Sequence, residues 1–138
     1  MTRQALSLIS LLGLLLVAGS AVAQTTNIRA NVPFSFTVNN KSLAAGTYEI
    51  QPGSVSDSGV LIIRGPDGSM LIGTNASESL QGADQTKLVF HCYGAQNFLS
   101  EIWVAGAVRG RQLPMTSREK ELARNLTPQP VEILASLR

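Results

Sequence analysis

Four side chains able to do chemistry lie close together in this sequence: His91, Tyr93, Glu101 and Trp103. An imidazole that titrates near neutral pH and a carboxylate are the groups that general acid–base chemistry uses, and a phenol and an indole offer flat, half-polar contact area. Their spacing places them together. Residues 86–93 and 97–104 read as two strands joined through Gly94-Ala95-Gln96. In that register Leu88, Phe90 and Cys92 align with Phe98, Ile102 and Val104 on one face. Val89, His91 and Tyr93 then stand beside Leu99, Glu101 and Trp103 on the other. Cross-strand neighbours are about 5 Å apart and diagonal ones about 7 to 8 Å. Such a patch could bind a sugar, a peptide or a protein partner, or serve a small hydrolase through Glu101 and His91. The plain alternative is a packed sheet surface with a His–Glu pair.

Other chemistry finds little support. One histidine and one cysteine rule out a multi-histidine metal site and a thiolate cluster. The remaining candidate metal ligands, Asp57, Asp67, Glu78 and Asp84, are scattered among turn-forming residues, so neither a metal nor any other cofactor is expected. A Cys–His nucleophile pair fails on geometry, because Cys92 directly follows His91 and adjacent strand residues point to opposite faces. No G-x-S-x-G elbow occurs. Cys92 reads as a small buried hydrophobe, with an intermolecular disulfide or a reactive thiol as the alternatives. A single cysteine cannot form an internal bridge, so packing alone must hold the chain together.

The first 23 residues carry an address rather than a fold. Arg3 is followed by an apolar run from Ala5 to Ala18 and then by Gly19, Ser20 and Ala21-Val22-Ala23. Charge, greasy core and A-x-A end make a cleaved secretory signal, with the mature chain starting at Gln24. The run is too short and too interrupted for a membrane anchor of about 20 apolar residues. Ser20 stands where a bacterial lipoprotein would need a cysteine. Residues 24–138 form one domain, exported to the periplasm or beyond, with no stable membrane span after cleavage. The mature part has a net charge of about +1 with the signs interspersed, which leaves no electrostatic footprint for nucleic acid.

Strand and turn signals dominate that domain. Val32, Phe34, Phe36 and Val38 alternate in one run, with Pro33 marking a strand start or an edge, and Asn39-Asn40 suits a tight turn. In Leu43-Ala44-Ala45-Gly46-Thr47-Tyr48 the tyrosine resembles the tyrosine corner of immunoglobulin-like sandwiches, whose hydroxyl bonds back upstream. Residues 60–63 and 69–72 flank Gly65-Pro66-Asp67-Gly68 as a hairpin, with arms apolar at consecutive positions, as for strands covered on both faces or in a closed barrel. Residues 74–85 read as a polar loop. Thr116-Ser117-Arg118-Glu119 is a capping box that opens a short helix, Ser117 to about Arg124, with Leu122 and Ala123 turned inward. Val131, Ile133, Ala135 and Leu137 alternate in a strand that closes the sheet.

Taken in order, Val32-Pro33-Phe34-Ser35-Phe36, Leu43 to Tyr48, Leu88 to Gly94, Phe98 to Trp103 and Ser117 to Ala123 resemble an uncharacterised family of small exported β-rich proteins of soil bacteria. Ala44 and Cys92 depart from that pattern, which has a proline and an arginine there. The resemblance implies export and a compact β domain, and brings no activity or site residue with it. The sequence therefore predicts an all-β domain: one antiparallel β-sandwich or partly closed barrel of about seven short strands, with one short helix near the C-terminus. The expected role is a non-enzymatic binding or structural module of the bacterial envelope that takes an envelope or extracellular ligand. Besides the small hydrolase, the alternative is a self-assembling surface subunit, a homo-oligomer built through edge strands at Pro33 and at the terminal strand.

Overall fold

Pro33 decides how the chain starts. Its ring has no N–H to donate, so the alternating run does not continue as one strand. It splits into β1 (Ile28–Val32) and β2 (Phe36–Val38), with Val32, Phe36 and Val38 all buried. The computed structural model describes residues 27–53 and 59–137. The leader, the cleavage point before Gln24 and Asp57 lie outside the described residues.

Within them the chain forms β3 (Lys41–Leu43), β4 (Gly46–Pro52), β5 (Val60–Gly65), β6 (Gly68–Gly73), β7 (Asn75–Glu78), β8 (Lys87–Tyr93), β9 (Gln96–Trp103), β10 (Arg109–Gln112), α1 (Ser117–Ala123) and β11 (Gln129–Leu137). The all-β expectation holds in its coarse form: strands with one short helix, in a curled sheet that makes a half-barrel. Two details differ. There are eleven strands among the described residues, not seven, because the run around Pro33 is two strands, and because β3, β7 and β10 are short and polar and carry no alternating apolar signal. The sheet is also mixed rather than antiparallel, since β2 runs parallel to β9 with Thr37 opposite Phe98.

The strand order is β3-β2-β9-β8-β11-β1-β4-β5-β6, and β10 links β9 to β7. β11 joins two walls. It pairs Ile133 with Leu88 of β8 and Ala135 with Ala30 of β1, so the alternating run is a strand as predicted, but a central one in an open sheet rather than one that closes it. That position corrects one expectation: β1 and β11 both have neighbours on either side, and the open edges belong to β3, β6 and β7.

The core fills the concave side, where Val32, Phe36, Tyr48, Ile50, Ile63, Leu88 and Phe90 meet. The rings of Phe36 and Phe90 stand edge to face at 5.3 Å, and those of Phe36 and Tyr48 at 5.0 Å. Edge-to-face contact suits the ring quadrupoles and adds to the area buried. The Tyr48 hydroxyl donates to the Ala44 carbonyl, the upstream bond that a tyrosine corner requires. A Cβ on Gly65 would collide with the Tyr48 ring, so only glycine fits beneath it.

Asn39 and Asn40 both take positive φ and make the tight turn between β2 and β3. Pro66-Asp67 turns β5 into β6, but this hairpin is not covered on both faces. Leu61, Ile63 and Ile72 face the core, whereas Leu71 lies exposed on the edge strand.

Candidate functional site

β8 and β9 form the expected hairpin, but its turn is the two residues Gly94-Ala95, with Tyr93 opposite Gln96, not the three-residue Gly94-Ala95-Gln96 loop read from the sequence. An irregularity interrupts the ladder: Val89 pairs with Glu101 but Phe90 pairs with Leu99, leaving Ser100 as the extra residue. One unpaired residue reverses the alternation beyond it. Leu99 therefore joins the core and Phe98 goes to the outer face, the reverse of the sequence assignment. The bulge sits where the neighbour of β9 changes from β2 to β10, and the Ser100 carbonyl accepts from the Leu113 N–H at 2.8 Å.

The four singled-out residues do share the outer face, since Lys87 pairs with Trp103, Val89 with Glu101, His91 with Phe98 and Tyr93 with Gln96. They do not form one cluster. Tyr93 is 3% exposed, and its hydroxyl donates to Glu119 Oε2 at 3.1 Å. The same oxygen lies 3.5 Å from His91 Nδ1. Burial first, then the bond to Glu119 and its charge, push the Tyr93 hydroxyl up to about 12. Across the face, Trp103 Nε1 donates to Glu101 Oε2 at 3.1 Å. Trp103 is 8% exposed because Gly110 lies on its ring, where a Cβ would stand 2.7 Å away. The indole is thus not a free stacking platform.

Helix α1 supplies Glu119, and here the capping box is half formed. Thr116 Oγ accepts from the Glu119 N–H at 3.1 Å, as predicted. The Glu119 carboxylate turns to Tyr93 and His91 instead of back to the first amides, because a buried phenol and an imidazole compete for it. Glu119 is the buried residue of the helix, while Leu122 is half-buried and Ala123 exposed, which corrects the inward face assigned to them. The sequence also holds an S-x-x-K spacing at Ser117 and Lys120. Both side chains are exposed on α1 and line neither cavity described below.

A polar groove of about 460 Å³ runs along this outer face. His91, Glu101 and Trp103 line it together with Asp84, Lys87 and Glu132, and Tyr93 stays beneath α1. Lys87 Nζ meets Glu132 Oε1 at 2.8 Å on its wall. Cys92 faces the opposite way from His91 and packs against the core, half-buried rather than buried as expected. Burial pushes its thiol up, which suits a small hydrophobe and not a nucleophile. Among the described residues no three His, Cys, Asp or Glu side chains converge as a metal site, and no helix is long and apolar enough to cross a membrane.

A second cavity was not anticipated. Ile28 of β1, Ile50 and Pro52 of β4 and Leu61 of β5 face Ile102 and Val104 across a cleft of about 240 Å³ between the two walls. Arg109 and Arg111 of β10 line it on the β9 side. The signal for this was present in Arg109-Gly110-Arg111, where period 2 puts both guanidinium groups on one face. Without β10 as a strand, it could not be used. Comparison with known proteins returns no match to any family model, to any curated protein or to any solved structure.

Proposed function

We propose that this protein is an exported, non-catalytic binding module of the bacterial envelope, and that its ligand occupies the cleft between the two walls. The carrying observation is that core residues Ile28, Ile50, Leu61 and Ile102 line an open cleft of about 240 Å³. An apolar concavity with a few polar groups at its border is the ordinary form of a small-molecule site. In this reading the half-barrel is a partly closed barrel rather than two stacked sheets, and the cleft lies at its mouth. The pairing of Glu119 with Tyr93 and His91, and of Glu101 with Trp103, favours a structural role for the polar-aromatic quartet.

The test has two parts. Expressed in an exporting bacterium, the chain is expected outside the cytoplasm with Gln24 as its first residue, by N-terminal sequencing. The purified chain is expected to bind the neutral apolar dye Nile red saturably. An intact leader on cytosolic material refutes export, and absence of dye binding refutes the cleft as a site.

A second reading, a small hydrolase, draws on the 460 Å³ groove that His91 and Glu101 share. Turnover of any substrate in a broad hydrolase panel, abolished by His91→Ala or Glu101→Ala, would replace the first reading with this one.

A further inference from the structure

We propose that the cleft takes an anionic amphiphile: a free medium-chain carboxylate whose tail lies along Ile50, Leu61 and Ile102 and whose headgroup meets Arg109 and Arg111. This rests on the cleft being the ligand site and adds the class of ligand.

The register of β10 carries the argument. Arg111 pairs with Ile102, and paired residues of an antiparallel ladder project to the same face. Ile102 belongs to the core, so Arg111 projects to the concave side. Arg109, two residues away in the same strand, does likewise. Gly110 between them faces the outer side against Trp103, which agrees with the assignment from the register. Two cations are thus set at the border of an apolar floor, Arg111 half-buried and Arg109 exposed, where an anionic headgroup can meet them while its tail lies on the floor.

Their own partners do not use that charge up. Arg109 Nε lies 3.5 Å from Glu78 Oε1, and both side chains are largely exposed, a setting in which ion pairs contribute little. No ion pair engages Arg111 among the described residues. A guanidinium matches a carboxylate with two parallel bonds. The volume selects a small occupant, because drug-sized ligands fill about 300 to 1,000 Å³. A recess between two walls admits one chain end. A membrane surface would call for a projecting apolar face.

The experiment is calorimetric titration of the processed chain with decanoate and with decanol, alongside Nile red binding and sedimentation with phosphatidylglycerol vesicles. Decanoate is expected to bind about tenfold or more tightly than decanol, the effect of one bond to a charged group. Arg111→Gln and the double change Arg109→Gln/Arg111→Gln are expected to remove that preference while dye binding persists; Ala107 also lines the cleft, and Ala107→Trp, which fills it, is expected to lose both. Equal binding of the two ligands, a preference that survives in the arginine variants, or vesicle sedimentation without decanoate binding overturns the ligand class while Nile red binding still supports the cleft. Loss of dye binding in the unaltered chain overturns both. The single Arg111→Gln change, at a half-buried position, serves if the double variant unfolds.

Discussion

Replacing Tyr93 with phenylalanine removes one oxygen from the place where α1 meets the sheet. That hydroxyl is buried and donates to a carboxylate that is itself 4% exposed. A bond to a charged group contributes about 1.5 to 3 kcal/mol, and the acceptor left behind loses a partner without regaining water. Glu119 would keep His91 Nδ1 at 3.5 Å as its remaining side-chain contact. The cost should therefore fall in the upper part of the range, about 2 to 3 kcal/mol. At about 4 °C per kcal/mol for a domain of this size, the melting midpoint at pH 7 should drop by about 8 to 12 °C. Far-UV circular dichroism during heating and urea titration measures it. The pH dependence gives a second readout. With the folded value at about 12 and the ordinary value at 10.0, the neutral phenol contributes fully below pH 10, and its contribution is lost as pH rises from 10 towards 12. Tyr48 is also raised, by burial and then by the charge of Asp67, and so is the Cys92 thiol, by burial, so the alkaline loss of the unaltered protein has three sources. The difference between it and Tyr93→Phe isolates one. A loss below about 0.5 kcal/mol, the size of an ordinary surface change, with an unchanged alkaline slope would refute the reasoning.

Phe36→Ala empties the centre of the ring cluster formed with Tyr48 and Phe90 and should cost about 3 to 5 kcal/mol in urea unfolding; a loss under about 1 would mean the ring is not in the core. Gly110→Ala drives a methyl into the buried Trp103 ring and should cost about 1 to 3 kcal/mol, with a change in tryptophan fluorescence as the direct sign of ring displacement. Cys92 should react with Ellman's reagent at pH 8 more slowly in the folded protein than in urea, because burial raises its thiol and holds it against the core. Equal rates in the two states would place the thiol at the surface.

What the sequence made legible were features that depend on neighbours in the chain. The Asn39-Asn40 turn, the Pro66-Asp67 hairpin, the Tyr48 corner and the Thr116 cap each follow from a few adjacent residues, and each is present. The polar-aromatic quartet was placed on its face correctly even though Ser100 shifts the ladder beside it, because the shift falls between Glu101 and Phe98 and leaves Glu101 and Trp103 in register with Val89 and Lys87. Phe98 and Leu99, on the far side of the same bulge, were therefore exchanged. Missed features depend on distant pairing. Glu119 reads locally as a capping residue, and only the packing of α1 on β8 turns it towards Tyr93 and His91. β7 and β10 hold few apolar side chains, and their strands exist because each supplies the other's ladder, Arg111 opposite Ala76 and Arg109 opposite Glu78. The cleft rests on β10, so it stayed hidden with it.

The seam formed by β11 bears on how the chain folds. Ile28 lies opposite Leu137, so the two walls are joined by contacts separated by most of the chain. Closing so long a loop is slow compared with forming the β5–β6 and β8–β9 hairpins, whose partners are neighbours. Two preorganised ribbons should thus wait for a late docking event, and refolding kinetics should respond more to changes in Ile133 or Ala30 than to changes in either hairpin turn. Until that event the greasy sides of both ribbons are open to solvent, and in that interval self-association competes most strongly with folding.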